Sequence, residues 1–184
     1  MDIGQRLTRW LTTLNEEFHG GGDRSCVISA CSIVDHLLGE ILKDFLLPNP
    51  NSRDPLFDEP TAPLSNFSSR INMAFRLGLI GNRLSRDLHK LRKIRNDFAH
   101  SFESRSLSEQ AYQDRVNAVI SSLELEEKAP KMFDKPYDSV RGRFIICIIL
   151  ILVHLECINE QRLRLNPCKY DGVLDLAIVD PNGE

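Results

Sequence analysis

At 184 residues the chain is long enough for one domain with a full core, and 42% apolar with 27% charged residues is the balance of an ordinary globular protein. A net charge of −3 speaks against a dedicated DNA binder, which needs a basic surface to displace counterions, so direct DNA binding is not expected. Five cysteines, Cys26, Cys31, Cys147, Cys157 and Cys168, form no C-x-x-C pair and leave one over, which fits reduced thiols in the cytoplasm.

The opening M-D-I-G-Q-R-L-T-R-W has no continuous apolar run and does not read as a secretory signal. Ile3, Leu7, Trp10, Leu11 and Leu14 instead make a helical stripe, ended by His19-Gly20-Gly21-Gly22, and Trp10 is expected in core or dimer packing. Asp23 or Ser25 can cap a second helix to about Phe45, whose face of Val27, Cys31, Val34, Leu38, Ile41, Leu42 and Phe45 marks it as central. Residues 46–65 hold Pro48, Pro50, Pro55, Pro60 and Pro63, so a long Pro-rich loop joins helices two and three, anchored by Leu56 and Phe57.

Ser65 or Asn66 starts a third helix carrying Phe67, Ile71 and Ala74, and Gly78 to Asn82 turns the chain into a fourth helix as an antiparallel hairpin. Ser106-Leu107-Ser108-Glu109 has capping-box spacing ahead of a stripe of Tyr112, Val116, Val119 and Leu123. The acidic run Glu124, Glu126 and Glu127 reads as a solvated helix end before Pro130 and Pro136. Asp138 or Ser139 caps the last and longest helix, apolar all round at its middle, with His154 expected as a hydrogen-bonded core residue. Its unbroken apolar run, Phe144 to Val153, stops at His154 and Glu156, short of the roughly 20 residues a bilayer requires, and predicts a buried helix with no membrane contact. Residues 166–184 form an expected extended tail. The whole, 1–184, reads as a single all-α domain, a bundle of about six helices. Dimerisation is expected because the last helix offers more apolar surface than a small bundle covers.

Polar chemistry gathers at the end of the fourth helix, L-R-K-I-R-N-D-F-A-H-S-F. Leu84, Leu88, Leu91, Ile94 and Phe98 define its core stripe, and Arg95 projects into that stripe, about 20° from Leu84 on the helical wheel. Asn96 and His100 share a different face, where the helix dipole favours an imidazolium. Two readings compete. Arg95 is locked to a buried carboxylate, Asp35 or less favourably Glu40, or Arg95, Asn96 and His100 form a phosphate-handling site that Arg141 and Arg143 could extend. No H-E-x-x-H, G-x-x-x-x-G-K-[ST] or G-x-S-x-G pattern occurs, so no metal ligands and no cofactor are expected, and Arg95 with His100 is the one candidate pair for catalysis.

The segment from Pro63 to Ser101, with Leu-Gly-Leu-Ile at Leu77 to Ile80 and the preceding I-V-D-H-L-L, resembles the mannitol operon repressor (MltR) family. The resemblance spans about Cys26 to Phe102 and implies a cytoplasmic transcriptional regulator that works through a protein partner. The Arg-Asn-x-x-x-His run is similar to the motif of HEPN-domain ribonucleases. That second resemblance implies metal-independent RNA cleavage at a dimer interface, with His100 as general acid/base, Arg95 on the charged phosphorane and Asn96 in support.

Overall fold

The computed structural model describes residues 4–6, 8–10, 12, 21–101, 105–124, 138–161 and 163–167. Among them the secondary structure is helical throughout: α1 (Asp23–Phe45), α2 (Phe67–Arg76), α3 (Asn82–His100), α4 (Gln110–Ser122) and α5 (Val140–Glu160), preceded by helical backbone in the described part of 4–12. The all-α expectation therefore holds, and no strand occurs among the described residues.

Two of these five helices begin at a side chain that accepts from an orphan amide of the first turn. Asn66 Oδ1 accepts from Ser69 N at 3.0 Å to start α2, and Ser139 Oγ accepts from Gly142 N at 2.9 Å to start α5. Gly22, with no side-chain bond, precedes α1. The expected cap, Asp23, is used elsewhere: its Oδ2 accepts from Ser106 Oγ at 3.0 Å and Leu107 N at 2.8 Å, tying the start of α1 to the loop before α4. In that loop Glu109 Oε1 accepts from Ser106 N at 3.0 Å, the reciprocal half of a capping box, and α4 begins only after Glu109. Gly78 sits at φ 75°, the left-handed conformation that ends α2 and lets the chain reverse into α3.

α1, α3, α4 and α5 close a ring of contacts, and α2 lies outside it against α1 and α3. Arg141 Nη1 stands 3.7 Å from Asp23 and Leu165 N donates to Phe45 O at 2.9 Å, so α5 runs parallel to α1. α3 runs the other way, its last carbonyls meeting Arg24. The core the ring encloses includes Leu38, Leu42, Leu88, Leu91, Ile94, Phe98, Phe144 and Ile148, all essentially without solvent exposure. Burying one such side chain stabilises the fold by about 1.5–3 kcal/mol. Asp87, buried on α3, is satisfied by Lys90 Nζ at 2.9 Å and Ser122 Oγ at 2.6 Å and so fixes α4 against α3.

Two local expectations are corrected. His154 is exposed on α5. In the Pro-rich segment Phe57 is buried, with Ala62 and Leu64, but Leu56 stays 40% exposed because the turn at Asp54 and Asp58 directs only Phe57 inward. α1 and α5 are each long and apolar enough to cross a membrane, but much of each apolar stretch is buried inside the bundle, as expected of core helices. Most of the expected C-terminal tail and of the acidic run after Glu124 lies outside the described residues.

Candidate functional site

The end of α3 is held by groups far away in sequence. Arg24 Nη2 donates to Ala99 O and Nη1 to Ser101 O, both at 3.0 Å, so a guanidinium from α1 caps the last turn. Arg115 Nη1 binds Asp97 Oδ2 at 2.6 Å from α4, and Arg105 is shared between Ser101 Oγ and Glu109, each at 3.3 Å. These fix the rim of an open cavity of about 520 Å³ lined by Asn96, Asp97, His100, Ser101, Arg105 and Tyr112. Burial and then the Asp97 charge push the Tyr112 phenol up, and its ring packs on Phe98, 5.0 Å between centroids.

Asn96 and His100 share the cavity wall, as their spacing predicts. His100 is exposed and has no hydrogen bond to another described residue. Arg95 sits about 140° away on the wheel and outside the cavity lining, yet its Nη1 donates to Asn96 Oδ1 at 3.1 Å. The sequence run thus becomes a relay: guanidinium to carboxamide oxygen, leaving the amide NH₂ of Asn96 as the donor available to a ligand.

The expected Asp35–Arg95 ion pair is not formed. Arg70, from α2, takes the carboxylate instead, with Nη1 2.9 Å from Asp35 Oδ1 and 3.3 Å from Asp35 O, while its Nε donates to Leu64 O at 2.8 Å. The reason is steric as well as electrostatic: Gly39, one turn beyond Asp35, leaves α1 flat enough for the Arg70 guanidinium to lie against it. Arg95 stands near enough for its charge to be felt at Cys31 and Asp35, and it pairs with no carboxylate among the described residues. Arg70 carried no signal in the helical pattern of α3, because the carboxylate's partner comes from a different helix. Arg141 and Arg143 do not line the cavity; Arg141 Nη2 is committed to Gly21 O at 2.6 Å. No cluster of three or more candidate metal-ligating side chains occurs among the described residues.

No protein-family model matches the sequence, and no curated protein does. Among solved structures the chain is similar to the MtlR chain of the X-ray structure of the MtlR–HPr complex from Escherichia coli, with a TM-score of 0.59 and 17% identity, over 81% of this chain and 97% of that one. The chain has an MtlR-like fold. This agrees with the family resemblance of Pro63 to Ser101 at the level of architecture, and the likeness runs through nearly the whole of the MtlR chain rather than one hairpin.

Proposed function

We propose that the protein is an MtlR-like regulator, a transcriptional repressor that acts in the cytoplasm, as a homodimer, by contact with another protein. The observation that carries this reading is the fold likeness to an entire MtlR chain, one that was solved in complex with HPr. The overall acidic balance, and the lack of any recognisable DNA-reading motif in the sequence, agree with it. HPr of the same organism is the first partner to test. Isothermal titration of the purified protein with HPr should show saturable binding, and a flat titration removes HPr as the partner. Deleting the gene should raise transcription of the operon it represses, of sugar-alcohol type if the family resemblance extends to the ligand.

One observation supports a second reading, a HEPN-type ribonuclease: Arg95, unpaired with any described carboxylate, touches the Asn96 that shares a cavity with His100. In that reading His100 moves the proton and Asn96 presents the phosphate. Incubation with mixed RNA in EDTA, parent against His100→Ala, decides it. Cleavage lost in the variant establishes the enzyme, and RNA left intact by the parent across salt and pH rejects it.

A further inference from the structure

The net charge of −3 hides a strong segregation. Residues 66–100, which make the α2–α3 hairpin, contain eight of the 23 Lys and Arg but two of the 26 Asp and Glu, so this segment carries +6 and the rest of the chain −9. The two acids are both engaged, Asp87 inside the bundle and Asp97 by Arg115. Four of the cations, Arg76, Arg86, Arg92 and Lys93, have no hydrogen bond or ion pair with any described residue, whereas Arg70, Arg83 and Lys90 are matched by carboxylates.

On the α3 wheel Arg86 and Lys93 lie about 20° apart on the outward side and Arg92 about 100° from Lys93, on the far side of His89, while Arg86 also borders the opening lined by Arg83, Asp87, Lys90 and Glu124. His89 Nε2 meets Asn72 Oδ1 at 3.1 Å, which sets α2 beside α3 at that level. Because the helices are antiparallel, Arg76 and Arg86 stand about one turn from this contact toward the hairpin tip, and Arg92 and Lys93 about one turn away from it. Burial, and after it the charges of Arg92 and Lys93, push His89 down. Arg92 Nε is in addition a buried donor with no acceptor.

We infer that this face of the α2–α3 hairpin binds the phosphodiester backbone of a nucleic acid, without reading its bases. A protein partner is the poorer fit. A protein interface is organised around an apolar centre, and here the only large apolar side chain exposed on the hairpin is Phe75, 40% accessible at the α2 end. A group dominated by arginine, spaced along about 10 Å of helix beside carboxylates, Asp87 and Glu124, that Lys90 and Arg83 already match, fits a phosphate backbone, whose affinity is electrostatic and whose oxygens accept the guanidinium fork. The inference adds a contact to the regulator reading and is measured separately from HPr binding, so either can fail without the other.

The test is fluorescence anisotropy of a labelled mixed-sequence oligonucleotide, as single-stranded RNA and as duplex DNA, over a salt series. Binding should be sequence-tolerant. For the single strand the plot of log affinity against log salt should have a slope of about −3, the value for roughly four phosphates neutralised. A variant with Arg76→Gln, Arg86→Gln, Arg92→Gln and Lys93→Gln should lose most of the affinity and most of the slope, and Lys93→Gln alone should reduce the slope by about 1. Should the fourfold variant lose its helical circular dichroism, the threefold one that retains Arg92 serves in its place. Absence of binding to both oligonucleotides at low salt, binding untouched by the substitutions, or stronger binding to poly-glutamate than to either oligonucleotide each overturns the inference. Preference between the two strands identifies RNA or DNA as the source of the backbone.

Discussion

Arg70 reaches across from α2 to Asp35 on α1 and closes a 2.9 Å ion pair, with Gly39 providing the flat surface beneath its guanidinium. The carboxyl of Asp35 is nonetheless held above the usual aspartate range, because burial outweighs the attraction of Arg70 and Arg95. A raised folded-state pKa means stability that is present at low pH and lost as pH rises through that pKa. The stability of the parent minus that of Asp35→Asn should therefore fall as pH rises from about 4 to about 7, read by urea denaturation at each pH. A difference that grows over this range would contradict the assignment.

Arg70→Ala leaves that carboxylate without its partner. It should cost about 2 kcal/mol, below the roughly 3–5 typical of fully buried pairs because both side chains retain some solvent contact. Arg95→Ala, by contrast, removes one hydrogen bond to Asn96 and should cost about 1 kcal/mol or less in the same denaturation experiment. Equal losses in the two variants would mean that Arg95 carries a structural charge interaction after all.

Glu156 is a carboxylate with no solvent exposure, bound by Arg6 Nε at 2.7 Å and by the Trp10 indole N–H at 3.1 Å. Arg6→Ala should destabilise the protein by about 2 kcal/mol, since it strips the guanidinium from a buried acid. Trp10 is the single tryptophan, so its emission reports the same event. A red shift at denaturant concentrations where the far-ultraviolet dichroism is still native is the expected signature of the first helical segment detaching before the ring of four opens.

The thiols divide by environment. Burial pushes Cys31 and Cys147 up to about 12, while Cys157 lies exposed on α5. Iodoacetamide at mildly alkaline pH should modify Cys157 and spare Cys31 and Cys147 until the protein is unfolded, as mapped by mass spectrometry of peptides. Rapid labelling of Cys31 in the native protein would show that the α1–α3 packing is looser than described.

Leu88→Ala, at a fully buried position facing the ring's centre, should cost about 2–5 kcal/mol in calorimetric unfolding, with a cavity that the surrounding leucines fill only in part. A loss below about 1 kcal/mol would place Leu88 outside the cooperative core.

The helices were legible because periodicity reports burial directly: Leu84, Leu88, Leu91, Ile94 and Phe98 read as one stripe and are buried as one. The caps at Asn66 and Ser139 were legible for the same local reason. Partners that cross between helices were not. A wheel places Arg95 near the core and Asp35 at a margin, but it cannot say that Arg70 arrives first or that Asp23 is taken by Ser106. His154 was misread because the ten apolar residues that precede it suggest a buried helix on every side, whereas at its own position the helix faces water. Of the candidate site, the shared face of Asn96 and His100 followed from four-residue spacing, whereas Arg24, Arg105 and Tyr112 come from segments with no pattern linking them to α3. The basic face escaped notice because total charge averages over the acidic remainder of the chain.

The placement of α5 has a consequence for biosynthesis. The helix that completes the ring, and that holds Trp10 and Arg6 in place, follows the other four in the chain and so leaves the ribosome after them. Until residues 140–160 emerge, Leu38, Val34 and their neighbours on α1 lack one wall of their enclosure, so the nascent chain exposes the apolar face of a 23-residue helix while the segments between are being made. Completion of the bundle thus waits on α5, and the interval before it is when this protein would depend on a chaperone.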